Sequence, residues 1–194
     1  MSDNGRMRVL CQRLWKREDG SSGVEFALVV MPFVLTVIGI IEVAMILFAD
    51  VLLEGALRDA SRFGVTGQVP AGMTREAMIK NIIGQRTIGL INMNKIKIET
   101  LSYANFSDIG KPEPFVDQPP LNGKYDQGEP FTDVNGNGKW DADQGKSDAG
   151  ASGAVVVYRV SYDWPLLTGL LSPILGSAGY VHLRVSTAVR NEPF

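Results

Sequence analysis

Gly20–Asp50 reads GSSGVEFALVVMPFVLTVIGIIEVAMILFAD, and this stretch decides how the rest of the chain is understood. From Phe26 to Ala49 run 24 residues whose single ionisable member is Glu42. At about 1.5 Å per residue they are long enough to cross a bilayer core of about 30 Å. Arg6, Arg8, Arg13, Lys16 and Arg17 precede the run, whereas Asp50 and Glu54 follow it. That asymmetry predicts a single-pass membrane protein with its N-terminus in the cytoplasm and its C-terminal domain on the far side. Two acids need separate explanations. Glu25, followed by Phe26, stands at the lip of the apolar run, where a helix N-terminus favours a carboxylate. Glu42 lies deep in it, where an ionisable group is costly; it either faces a partner helix or stays protonated in the bilayer.

Beyond Ala49, Leu53, Ala56, Leu57, Ala60 and Phe63 recur at helical spacing, so the helix is expected to continue to about Gly64 and form a spine. Gly64, Gly67 and Pro70 end it. Thr74 is the expected N-cap of a short helix over 75–83. Residues 95–103 alternate as a strand whose phase slips at Leu101, which predicts a bulge near Thr100. Val155–Trp164 and Val181–Arg190 alternate without interruption. The predicted fold is α+β: a long N-terminal transmembrane helix extending into a spine packed by a small antiparallel sheet of about three strands, with a calcium-loop-like insert. The regions are a leader over 1–20, the helix over 21–67, an extracytoplasmic domain over 68–104 and 151–194, and the insert over 105–150.

Composition removes several function classes. Loss of residues 1–20 would take five of 19 basic and three of 21 acidic residues, leaving a net charge of −4. No nucleic-acid partner is expected of such a chain. The single cysteine, Cys11, lies in that leader, so no disulfide is expected in the remainder. No enzyme is expected either: there is one histidine, His182, and no nucleophile or acid at recognisable spacing from it.

The insert breaks the composition, with nine acidic residues among its 46 and abundant Gly, Pro and Asn. Asp133-Val-Asn135-Gly-Asn137-Gly-Lys139-Trp-Asp141 has the oxygen-ligand spacing of the first nine positions of an EF-hand-like calcium loop. Asp133, Asn135, Asn137 and Asp141 would supply side-chain oxygens, and Lys139 a carbonyl. Gln144 stands where the twelfth-position acid belongs, with Asp143 adjacent and Glu129 upstream as substitutes. Weak Ca2+ binding is the expectation, against a metal-free Asn-Gly turn as the alternative. The insert also repeats itself: Glu113-Pro-Phe-Val-Asp117 echoes Glu129-Pro-Phe-Thr-Asp133, and Asn122-Gly-Lys-Tyr-Asp126 echoes Asn137-Gly-Lys-Trp-Asp141.

The junction Gly20-Ser-Ser-Gly-Val-Glu25-Phe26 resembles a prepilin peptidase site, and residues 20–67 resemble the TadE-like proteins of the Tad (Flp, type IVb-like) pilus system, with weaker likeness over Thr187–Phe194. The resemblance implies a minor pilin or pseudopilin cut between Gly20 and Ser21 by prepilin peptidase. Glu25 would then neutralise the new α-ammonium on a neighbouring pilin subunit, with Phe26 and Glu42 also in the assembly surface. Its implied partners are other pilin subunits, an inner-membrane assembly platform and the lipid bilayer, and the protein would enter a cell-surface pilus. The alternative is a permanently anchored extracytoplasmic module for calcium-dependent binding or adhesion.

Overall fold

A computed structural model describes residues 21–65, 72–169, 171–175 and 179–192. The expected helix is one element, α1 (Ser21–Val65), unbroken at Pro32. Pro32 cannot donate to the preceding turn; its own carbonyl accepts a 2.8 Å bond from the Thr36 hydroxyl. The helix changes character at Glu42. None of residues 22–41 is buried, whereas Glu42, Ala49, Leu53, Ala56, Leu57, Ala60 and Gly64 form a buried stripe along one side. The domain therefore begins to cover the helix seven residues before the end of the apolar run.

Helix α2 (Arg75–Arg86) crosses that stripe, burying Met78, Ile79 and Ile83. Thr74 caps it, accepting from the Ala77 amide at 3.1 Å. It runs three residues past the expected end because Thr87 closes it, its amide and hydroxyl both donating to the Ile83 carbonyl. Gly84 sits inside this helix, under Met93.

Strands β1 (Lys97–Tyr103), β2 (Val155–Pro165) and β3 (Tyr180–Arg190) form an antiparallel sheet in the order β1-β2-β3. On one face of β2, Val156, Tyr158, Val160, Tyr162 and Trp164 pack on the helices with Leu183 and Val185. The fit is close where α1 ends: a Cβ on Gly64 would lie 2.5 Å from Tyr158 Oη. The expected bulge near Thr100 is absent, since pairing runs unbroken from Lys97↔Ser161 to Tyr103↔Val155. The apparent slip arises because β1 has two cores. Ile96 and Ile98 face the helices, while Leu101 and Tyr103 point the other way and join Val155, Val157 and Ile109 beneath the insert. The insert also adds a bridge at Ser102↔Lys146 on the free side of β1.

Asn191 ties these parts together. Its side-chain amide donates to the carbonyls of Ala149, Gly150 and Ala151, its backbone amide to Ala154, and the next amide, Glu192, to Val65 at the end of α1.

Candidate functional site

The two halves of the insert are related as their sequences suggest. Phe115 bridges its repeat-mate Phe131, with the Val116 amide donating to Pro130 and the Thr132 amide to Pro114, both at 2.8 Å. Tyr125 stacks on its own mate, Trp140, at 4.5 Å between ring centres. Each half folds its Asp and Asn into a turn. Asp133 accepts from the amides of Gly136, Asn137 and Gly138, and Asp117 from those of Asn122 and Gly123. Gly136 and Gly138 have φ of 78°, the left-handed region that only glycine enters without cost.

The repeat glutamates cross over. Glu113 is fully buried and accepts from the amides of Val134, Asn135 and Asp141, all in the second loop. Glu129 accepts from Gln118 and Asp126, both in the first. Glu129 thus sits with the first loop rather than beside Asp133–Asp141. Asp143 and Gln144 also point elsewhere: Asp143 accepts from the Tyr103 hydroxyl at 2.8 Å and from Arg159 at 2.9 Å, and the Gln144 side chain donates to Asp108. Asn135, Asn137 and Asp141 do converge, both Asn amides donating to one Asp141 oxygen and holding its carboxyl below the ordinary range. The Lys139 amide donates to Asn137 Oδ1. Among the described residues no three Asp, Glu, His or Cys side chains gather to hold a metal ion. Sequence reasoning missed Glu113, whose only signal was its place in the repeat.

At the other end, Gly20 lies outside the described residues, and Ser21 opens α1. Glu25 and Phe26 are both exposed, Phe26 by 68%. Val24, Leu28, Val29, Met31 and Phe33 are exposed around them, an apolar surface on every side of the helix. Glu42 is different. It is 1% exposed, and its two oxygens accept from the amide (2.9 Å) and hydroxyl (2.8 Å) of Thr168, on the connection between β2 and β3. Its partner lies within its own chain, 126 residues away. A helix with no buried residue over twenty positions, 22–41, and then docked to a domain has the form of an anchored spine. Residues 20–62 match the family model for TadE-like protein. No curated protein and no solved structure matches the chain.

The matched residues cover the helix to within three residues of its end and include no part of the sheet or the insert. With the one candidate span among the described residues, at Ser22–Val65, the match supports a membrane-anchored protein. His182 is on the solvent face of β3, its Nδ1 2.5 Å from Asp163 Oδ1 on the neighbouring strand.

Electrostatics concentrate where the insert meets the sheet. Burial pushes the Asp143 carboxyl up, but Arg159, Tyr103 and the Gly145 amide together hold it below the ordinary range. Burial, then the hydrogen bond to Asp143, pushes the Tyr103 hydroxyl up to about 12. Asp148 is likewise depressed, the Ser102 hydroxyl, the Gly150 amide and Lys146 outweighing its burial.

Proposed function

We propose that the chain is a minor pilin-like subunit of a Tad-type pilus, cleaved after Gly20 by prepilin peptidase, that takes part in assembling or priming the fibre. One observation carries this reading: the TadE-like match falls on a single helix that is unburied for its first twenty described residues. Its N-terminus is cytoplasmic and its domain periplasmic, following the basic residues before the span. Its partners are other pilin subunits through the bare half of α1, the peptidase, the inner-membrane assembly platform and lipid. The chain has a structural role, not a catalytic one. Glu25 meets the α-ammonium of Ser21 on a neighbour, which offsets the cost of burying either charge in the fibre. Intact mass of protein from its native membrane, with and without the peptidase, tests this. A chain starting at Ser21 only with the peptidase supports it; residues 1–20 retained in both overturn it in favour of a permanently anchored module.

A second reading concerns the insert. The loop Asp133–Asp141, with its two left-handed glycines and with Asn135 and Asn137 gathered at Asp141 by their side-chain amides, would hold Ca2+ weakly once those amides turn their oxygens inward, with a Kd of about 10⁻⁴–10⁻³ M. Titration calorimetry on the full chain in detergent should give such a value and lose it in Asp133→Ala. No heat at calcium concentrations about tenfold above that range would leave the loop a metal-free turn.

A further inference from the structure

We infer that the connection between β2 and β3 is a second membrane contact, whose apolar side chains enter the lipid interface beside α1. The inference rests on residues 22–41 being the membrane span.

The first support is composition. From Trp164 to Leu183 the chain carries no Asp, Glu, Lys or Arg, and it includes Leu166, Leu167, Leu171 and Ile174. A water-facing loop of that length ordinarily carries charge, and large apolar side chains grouped on a surface mark a place of contact. Here Leu167 is 62% exposed and Ile174, on the short helix α3 (Ser172–Leu175), is 79% exposed.

The second support is height along the helix. Thr168, next to Leu167, donates twice to Glu42, the first buried position after the bare run. Twenty bare residues from Ser22 to Ile41 span about 30 Å, one hydrocarbon core. A span of that length puts Glu42 at the outer boundary of the lipid, and Thr168 holds the connection at the same level. Ile40, Ile41, Val43 and Leu47 are exposed on α1 there, so helix and connection both present apolar side chains beside the Glu42–Thr168 tie. Tyr180 begins β3 beside it, the residue type that sits at headgroup level. The insert leaves the sheet from the opposite ends of β1 and β2, away from the lipid.

The contact also accounts for Glu42. A carboxylate at a membrane boundary needs donors and cover. The Thr168 amide and hydroxyl supply the first, and the apolar connection lying on the lipid supplies the second.

The test uses the full chain carrying Cys11→Ser in phosphatidylethanolamine–phosphatidylglycerol vesicles, with a polarity-sensitive fluorophore on one introduced cysteine at a time: I174C, L121C or M31C. Leu121, 73% exposed in the insert, is the water-facing control. Nitroxide lipid labelled near the headgroup should quench the probe at 174 about twofold and leave that at 121 unchanged, as for a side chain in the interface. Equal, negligible quenching at 174 and 121 overturns the inference. So does a blue-shifted probe at 174 that lipid nitroxide does not reach, which would mean burial against a second copy. The probe at 31 separates the two ideas: if deep nitroxide fails to quench it, the span assignment fails; if it is quenched while 174 is not, the second contact alone fails.

Discussion

The two faces of the sheet are held by different physics. On the helix side, Val156, Tyr158 and Val160 are fully buried against Leu53, Leu57, Ile79 and Ile83, with hardly a polar group between. On the insert side the shared apolar core is Leu101, Tyr103, Val155 and Val157 with Ile109, and the remaining hold is polar: Tyr103 and Arg159 on Asp143, Ser102 on Asp148, and Lys146 bridged to Ser102. One face is fastened by area removed from water, which is indifferent to pH; the other by groups that titrate. The insert should therefore come away before the spine does.

The largest effect should come from the helix face. Leu57→Ala, at a position 1% exposed, should cost about 2–5 kcal/mol and lower the unfolding transition of the whole domain, since a cavity adds to the lost burial. If thermal unfolding of detergent-solubilised protein is unchanged, the spine is not what holds the sheet. Gly64→Ala should cost about 1–3 kcal/mol by forcing the Tyr158 ring outward; a Tyr158→Phe background, which removes the closest atom, should recover part of that loss.

Asp143→Asn acts on the other face. It should cost about 1–2 kcal/mol, the lower end applying because the pair is partly solvated. The loss should register as faster amide exchange over 105–150 with little change in β2 and β3. Uniform loss across all three strands would contradict the two-face picture.

The pH dependence is smaller and has two limits. Asp143 and Asp148 are depressed in the folded state. Their contribution is fully present above the unfolded carboxylate value of about 3.9 and is lost as pH falls through their folded values. Tyr103 is raised to about 12, so its contribution holds below about 10 and is lost between about 10 and 12 as the unfolded chain ionises first. Amide protection over the insert, corrected for the intrinsic pH dependence of exchange, should fall in both windows, and Tyr103→Phe should flatten only the alkaline one. An alkaline limb that survives Tyr103→Phe would assign it to another group.

The smallest effect is a surface one. Glu54 and Arg58 pair at 2.6 Å on the outer side of α1, yet both are well exposed, and Arg58→Ala should change stability by less than about 0.5 kcal/mol.

Periodic elements were legible in the sequence because their burial is one-sided. The alternation over 155–164 and 181–190 locates β2 and β3 to within a residue, and the leucine–alanine stripe from 53 to 60 marks the spine. Where both faces of a strand are covered the pattern misleads: Leu101 and Tyr103 obey strict alternation, but around a second core that no local rule reveals. Side-chain partners far apart in sequence were illegible for the same reason. Thr168 carries nothing that points to Glu42, and Asp143 looks like a loop ligand until Arg159 and Tyr103 are brought beside it by the sheet. The acidic loop itself could be read from spacing, but the source of its buried carboxylate could not, because Glu113 is 28 residues from the farthest amide it holds.

That crossing of glutamates has a consequence in time. Glu113 is made well before Val134 and Asp141, whose amides it needs, and at about 5–20 residues per second it waits some seconds for them. Glu129, made only three residues after Asp126, can close the first loop at once, while Glu113 still has no loop to hold. The first loop can therefore form ahead of the second, and the insert closes last at Glu113, once the amide of Asp141 has been made.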